Sequence, residues 1–300
     1  MPILSDIDEV VAILKQGGLV ALPTETVYGL AGDAGNPLAI RQIYATKGRP
    51  AGHPVIVHMA QGSDLSTIAK LDDRAHALAN AFWPGPMTLI LPKQSCVPDE
   101  VTGGLDTVGI RVPDHPLTQS VLTHFADGIA APSANRFGRV SPTSAQHVMD
   151  EFEGQIPVLN GGACTVGIES TIIDLTNDQA ALLRPGAITP SAIEAIVGPL
   201  TTSDTKAPGT LAQHYQPMTS LLLSNNVAAD KARLVAEGQT VAVLTATDPQ
   251  DHAKRLYAEL RRLDKLGVDI LIAEAAPSSG LGVAINDRLR RAATLFSTDR

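Results

Sequence analysis

Residues 5–30 read Ser5-Asp6-Ile7-Asp8-Glu9-Val10-Val11-Ala12-Ile13-Leu14-Lys15-Gln16-Gly17-Gly18-Leu19-Val20-Ala21-Leu22-Pro23-Thr24-Glu25-Thr26-Val27-Tyr28-Gly29-Leu30. Ile7, Val10, Val11 and Leu14 recur at helical spacing behind a Ser5 N-cap. Gly17-Gly18 ends that helix. Leu19–Leu22 then has the length and apolarity of a buried strand, and Pro23 stops it. Helix, strand and polar loop in that order are the unit of an α/β fold.

Working outward, Asn36-Pro37 starts a second helix, with Pro at its first position, and Lys47-Gly48-Arg49-Pro50 follows as a loop. A helix is predicted over 64–81, broken by Trp83-Pro84-Gly85-Pro86. Strands are predicted at 55–59, 87–91, 108–112, 128–131, 156–159, 170–175 and 181–184, and helices at 116–126, 142–152 and 190–197. The spacing is irregular and without internal repeat. Residues 198–219 are rich in Gly, Pro, Ser and Thr and read as a linker. Beyond it, strand 219–223, helix 227–237, strand 239–244, helix 249–266, strand 268–273 and helix 284–295 alternate cleanly. Ala253, Leu256, Tyr257, Leu260 and Leu263 line one helix face. The expected division is residues 1–200, a linker over 201–218, and a small three-layer α/β domain over 219–300.

Composition narrows the function. Hydrophobic residues at 44% of 300 give enough apolar material for a core, which excludes global disorder. No apolar run reaches the roughly 18 residues of a membrane span. The N-terminus lacks the basic and apolar regions of a signal peptide. Cys96 and Cys164 are the two cysteines, too few for a disulfide scaffold or a four-thiolate metal site. A reducing cytoplasm is the expected location. Net charge is −8, carried by residues 1–200 at −9 against +1 for residues 201–300. Neither half has the basic footprint of a dedicated nucleic-acid binder, and aromatics at 3% make no base-stacking platform.

Six segments could carry chemistry. Pro23–Leu30 places four polar side chains directly after a buried strand, where α/β proteins often bind ligands; it is equally a turn with capping hydroxyls. Lys47-Gly48-Arg49, followed by His53 and His58, lets two cations reach a phosphate, although it is no Walker A loop. His58 lies in an apolar strand, where a histidine is usually a core residue. Arg111, inside the apolar run Val108–Pro113, needs an anion, either a ligand carboxylate or an internal Asp or Glu. Ala131-Pro132-Ser133-Ala134-Asn135 and Ser141-Pro142-Thr143 suit phosphate or sugar contacts, and equally loop chemistry with a helix cap at Ser141. Gly161–Thr171 permits close backbone approach; Cys164 has no acid–base partner there and reads as structural. Arg184-Pro185-Gly186 adds a cation at a strand end. No nucleophile elbow, HExxH, CxxC or GxGxxG is present. Cations, hydroxyls and glycine turns suit phosphoryl or nucleotidyl chemistry, in which positioning and charge neutralisation dominate.

Taken in order, these segments resemble the YrdC family, the L-threonylcarbamoyladenylate synthases. The resemblance rests on LPTETVYGLAGDA from Leu22, KGRPAGHPVIVH from Lys47, FWPGPMTLIL from Phe82, VGIRVPDHP from Val108, APSANRFGRVSPT from Ala131, GGACTVGIESTIID from Gly161 and LLRPGAIT from Leu182. APGTLAQHYQP from Ala207 is similar to the linker of the two-domain members, and GLGVAINDRLRRAA from Gly280 to their C-terminal domain. Two positions depart from the pattern: His53 stands where many relatives have Asn, and Leu211-Ala212-Gln213 brings no basic residue before His214-Tyr215.

The resemblance implies a twisted, partly open α/β barrel around a concave active-site cavity, with a small Rossmann-like C-terminal domain and a linker crossing the cavity mouth. The implied reaction converts ATP, L-threonine and bicarbonate or CO2 into threonylcarbamoyl-AMP, pyrophosphate and water, with Mg2+ travelling on ATP and no fixed protein metal site. A separate threonylcarbamoyl-transferring enzyme complex would modify the tRNA adenosine beside the anticodon. The chain itself would bind tRNA or RNA weakly and no membrane. By resemblance, Arg111 would hold the threonine carboxylate, with Thr26, His58, Ser170 and the Ala131 backbone around the rest of the amino acid. Lys47, Arg49, Ser133 and Asn135 would act on the triphosphate. His53, Thr107, Ser141 and Arg184 would complete the ATP site, and Tyr215 would close over it. Two other readings are a non-catalytic RNA-binding module and a carbamoyl transferase; the C-terminal domain, without a catalytic set, is expected to support the linker or bind partners.

Overall fold

A computed structural model describes residues 3–203, 205, 207–209, 214–245 and 248–296. Leu211-Ala212-Gln213 lies outside the described residues. Ten strands form one large mixed sheet: β1 (Ile3–Leu4), β2 (Val20–Leu22), β3 (Gly29–Asp33), β4 (Ile56–His58), β5 (Met87–Pro92), β6 (Thr107–Arg111), β7 (Ile129–Ala130), β8 (Val158–Leu159), β9 (Thr171–Asp174) and β10 (Ala181–Arg184). Their order is β1-β8-β2-β3-β7-β4-β6-β5-β9-β10. Helices α1 (Ile7–Lys15), α2 (Pro37–Lys47), α3 (Asp73–Phe82), α4 (Asp99–Thr102), α5 (Pro116–Phe125), α6 (Ala145–Glu151) and α7 (Pro190–Val197) connect them. Tyr28, Leu30, Ile40, Ile43, Leu89 and Ile110 belong to the main core.

The second sheet is wholly parallel: β11 (Ser220–Ser224), β12 (Val241–Leu244), β13 (Ile270–Glu274) and β14 (Leu295–Phe296), in the order β12-β13-β11-β14. Leu221, Leu271 and Ala273 pack with α9 (Pro249–Asp264) and α10 (Gly282–Ala292). Leu222 and Ile272, on the opposite face by the two-residue strand period, pack with α8 (Val227–Ala236). Three layers result, as the alternation predicts.

Local chemistry shifted several expected boundaries. Asp6, not Ser5, caps α1 by accepting from the Asp8 N–H at 2.9 Å. The helix expected over 64–81 begins only at Asp73, because Asp72 accepts from the Ala75 N–H; Leu65–Thr67 is a single tight turn capped by Asp64. The helix expected from 142 begins at Ala145 behind a Ser144 cap. Ser141 does not cap it, because its hydroxyl is committed elsewhere. The helix expected over 284–295 runs over 282–292 and is followed by β14. β3 was not expected as a strand. Its Gly29 and Gly32 lower strand propensity, and pairing with β2 and β7 on either side overrides that local preference.

Candidate active site

Parallel pairing of β4 with β6 sets His58 beside Arg111. The Ala131 N–H donates to Ile56 O at 3.1 Å, drawing the loop after β7 to the same place. A small cavity of about 50 Å³ opens there. Its wall includes Thr26, Arg49, His58, Arg111, Ala131, Ser133, Ser170, Arg184 and Tyr215, all expected from sequence. Thr24, Val27, Gly29, Ile56, Pro132, Glu169, Pro208, Gly209 and His214 complete it.

At one end, Arg111 donates to Thr26 Oγ1 at 2.8 Å and to Gly85 O at 3.3 Å. Its Nη2 lies 2.6 Å from Glu25 Oε1, with both side chains 5% exposed. This is an ion contact without an aligned hydrogen bond. Of the two partners open for Arg111 in the sequence, the internal carboxylate is thus in contact. His58 is held neutral, its pKa lowered to about 3, first by desolvation and then by Arg111.

At the other end, three buried cations meet neutral oxygens. Lys47 Nζ donates to Ser133 O and Asn135 O, both at 2.5 Å. Arg49 donates to His53 O at 3.3 Å and Pro54 O at 2.8 Å. Arg184 donates to Ser170 O and Ser170 Oγ at 3.0 Å each, and to Pro208 O at 2.9 Å. Burial pushes the Lys47 ammonium well down and the Arg49 guanidinium to about 10. Among the described residues none of the three has a carboxylate within ion-pair distance, an arrangement that is costly unless an anion arrives.

Five expected residues are off the cavity wall. Lys47 lies behind the Ser133–Asn135 loop that it braces. Asn135 is buried, its amide donating to Arg136 O and Arg139 O, while Oδ1 has no partner among the described residues. The His53 ring lies 5.7 Å from Phe137. Thr107 starts β6, two residues before Gly109, which pairs with Ile56. Ser141 is fully buried and donates to Glu169 Oε1 at 2.6 Å. Glu169 stays ionised, its pKa drawn to about 2: burial raises it, but Arg288, Arg184 and the Ser141 hydroxyl outweigh that. The Ser141 proton is therefore committed to a carboxylate and not offered to the cavity.

Pro208, Gly209, His214 and Tyr215 form one wall. Tyr215 is 1% exposed with φ +64°. Gly209 has φ +76°, and a Cβ there would stand 2.3 Å from the Tyr215 hydroxyl oxygen, so only glycine fits. Sequence reasoning missed Glu25 and Glu169 as individual residues, although both stand in the quoted motifs. It also missed Tyr257 and Arg288, which meet Glu169 from the second domain. Their signal was burial of charge, which one sequence does not display.

Two family models match the chain in succession. A family model described as "Telomere recombination" (Sua5_yciO_yrdC) matches residues 12–186. One described as "Threonylcarbamoyl-AMP synthase, C-terminal domain" matches residues 188–294. The threonylcarbamoyl-AMP synthase of Pyrococcus abyssi is 39% identical, over 93% of this chain and 91% of its own. That of Bacillus subtilis is 39% identical, over 96% and 92%. The crystal structure of P. abyssi Sua5 complexed with L-threonine superposes with a TM-score of 0.91 at 37% identity, covering 97% of this chain and 96% of the other. In matched domains, length and three-dimensional course alike, the chain belongs to the Sua5/YciO/YrdC family in its two-domain form.

Proposed function

We propose that this chain synthesises L-threonylcarbamoyl-AMP from L-threonine, ATP and either bicarbonate, releasing pyrophosphate and water, or CO2, releasing pyrophosphate alone. The observation that carries this reading is the cluster Lys47, Arg49 and Arg184: buried cations on neutral acceptors, on or behind the cavity wall that also holds Arg111. Such a cluster is built for a polyphosphate. The relatives' names, and the L-threonine in the P. abyssi structure, supply the amino-acid half.

The threonine amine adds to CO2 and loses a proton, giving the carbamate. A carbamate oxygen attacks the α-phosphorus, the bond to the bridging oxygen breaks, and pyrophosphate departs with the electron pair. Arg111 takes the threonine carboxylate, with Thr26, Ser170 and the Ala131 backbone around the amino acid. Neutral His58 offers a ring nitrogen without adding charge. Lys47, Arg49, Ser133 and Arg184 hold the phosphates as charge builds on the leaving group, with His53 and Thr107 around the nucleotide and Tyr215 above it, while Asn135 and Ser141, whose donors are committed elsewhere, support this end of the site from behind the wall. Mg2+ arrives as the ATP complex.

A cavity of about 50 Å³ does not admit ATP, since ligand pockets run to several hundred Å³. ATP therefore requires the cavity to widen, and residues 201–218 are read as the linker across its mouth, between residues 1–200, a twisted and partly open barrel, and the Rossmann-like residues 219–300. The linear strand order of the large sheet and the parallel three-layer second domain support this. The product is a mixed anhydride, consumed in the cytoplasm by a separate enzyme complex that acylates tRNA. Weak tRNA contact by the chain itself fits its acidic first 200 residues. No helix among the described residues is long and apolar enough to cross a membrane.

The test is pyrophosphate release from ATP and bicarbonate with L-threonine, with L-serine and with no amino acid, read alongside mass spectrometry for threonylcarbamoyl-AMP. Threonine-dependent release with the product seen is expected. Release that ignores threonine, or none, overturns the reading.

A further inference from the structure

Glu169 stands on the cavity wall beside Ser170, whose main-chain and hydroxyl oxygens hold Arg184. Its carboxylate accepts three hydrogen bonds: Ser141 Oγ at 2.6 Å, Tyr257 Oη at 2.7 Å and Arg288 Nε at 2.9 Å. Arg288 Nη2 also reaches Glu169 O at 3.3 Å. The last two side chains belong to α9 and α10, in the C-terminal domain, and both are buried at the boundary between the domains. The approach is close: Gly167 sits so near α9 that a Cβ would lie 2.4 Å from Lys254 O.

The same two residues seat the linker. The Tyr257 ring stacks on Tyr215 with centroids 5.6 Å apart and planes 28° apart. The Arg288 guanidinium lies 5.5 Å from the centre of the Tyr215 ring. One pair of side chains therefore orients a cavity-wall carboxylate and the residue that closes the cavity.

The electrostatics give this pair a task. Glu169 is a buried anion close to the cations that must hold a polyphosphate. Without a permanent partner it would draw Arg184 to itself and repel the incoming phosphates. Arg288 supplies that partner, and Asp287, 2.7 Å from Arg288 Nη1, is itself offset by Arg291 at 3.0 Å.

We infer that Arg288 and Tyr257 are positioning residues for the synthase reaction, holding Glu169 neutralised and Tyr215 seated so that Arg184 stays available to ATP. The C-terminal domain is thereby a working part of the nucleotide end of the site. Arg111 and His58, at the threonine end, are outside this network, which meets the amino-acid site at Ser170. This inference rests on the proposed function.

The experiment uses the full chain and measures pyrophosphate release, varying ATP and threonine separately, with thermal melting to establish folding. Arg288→Met keeps the bulk and removes the charge. It is expected to raise the KM for ATP at least tenfold and lower kcat, with the threonine KM within about twofold. Arg288→Lys should recover part of the ATP KM. Glu169→Gln placed on Arg288→Met should recover more, because it removes the stranded anion. Tyr257→Phe deletes one hydroxyl and keeps the stacked ring, so it folds if Arg288→Met does not; a threefold or greater rise in ATP KM is expected. ATP and threonine KM values unchanged in both single variants, or a loss confined to kcat in proportion to unfolded protein, would overturn the inference. A silent wild-type enzyme would instead overturn the proposed function.

Discussion

Glu25 Oε1 and Arg111 Nη2 meet at 2.6 Å in the interior, each side chain 5% exposed. The carboxylate sits one residue before Thr26, which itself accepts from Arg111. Arg111 therefore has a permanent anion behind it and a hydroxyl beside it. What remains for a substrate carboxylate is the side of the guanidinium facing the cavity.

This pair separates stability from binding. Arg111→Ala strands Glu25 and should both destabilise the fold and raise the threonine KM by roughly 30-fold or more, the effect of removing one partner from a buried charge pair. Adding Glu25→Gln to Arg111→Ala should restore the melting temperature but not the threonine KM. Steady-state kinetics and thermal melts on both variants check this. An unchanged threonine KM in Arg111→Ala would remove Arg111 from the amino-acid site.

Lys47 braces the Ser133–Asn135 loop and adds charge behind the phosphates. Lys47→Met should lower kcat roughly a hundredfold at saturating threonine, the usual loss for one preorganised electrostatic donor. Single-turnover pyrophosphate release separates this from weaker ATP binding. Normal turnover would show that loop geometry alone suffices.

Among the described residues the buried Tyr215 hydroxyl has no hydrogen-bond partner, an arrangement that destabilises by about 1–3 kcal/mol. Tyr215→Phe should therefore melt at or above the wild-type temperature while Tyr215→Ala melts below it. A rise in the ATP KM of Tyr215→Phe would place the hydroxyl against ATP. A drop in melting temperature on Tyr215→Phe would mean that the hydroxyl is satisfied in solution.

Acid should weaken the fold through His58. Its folded-state pKa, about 3, lies below the ordinary 6.5. Between those values the unfolded chain binds a proton that the folded chain does not, so stability rises with pH across that window and is level above it. At pH 5 the effect is roughly 2 kcal/mol. Melting temperatures measured from pH 4.5 to 8 should fall below about pH 6.5, less steeply in His58→Gln. An identical slope in that variant would place the titration elsewhere.

The two thiols should differ sharply. Cys164 is buried, and desolvation pushes its pKa up to about 12. Cys96 is exposed. Brief treatment with iodoacetamide near neutral pH, followed by peptide mass spectrometry, should label Cys96 and leave Cys164 free. Rapid labelling of Cys164 would show that its surroundings open in solution.

Much of the fold was legible where periodicity is strong. Pro37–Lys47 is a helix behind Asn36, and Pro249–Asp264 buries Ala253, Leu256, Tyr257, Leu260 and Leu263 as its pattern required. Reading failed where two caps competed, as at Asp64 and Asp72, or where glycines masked a paired strand, as at Gly29–Asp33. At the site, Arg49, Arg111, Arg184 and Tyr215 reached one cavity from four separate motifs. Asn135 and Ser141 stand behind the wall instead, since a side chain's direction is set by packing rather than by its motif.

By itself the sequence determined most of the helices and strands and the residue types able to hold anions. Those depend on local spacing, which neighbouring residues encode. Only the tertiary structure decided which charges face each other. Glu25 meets Arg111 across 86 positions of chain, and Glu169 meets Arg288 across 119. Coulombic attraction and desolvation act through space, so the partner of a buried charge is settled only when the sheets and helices have closed around it.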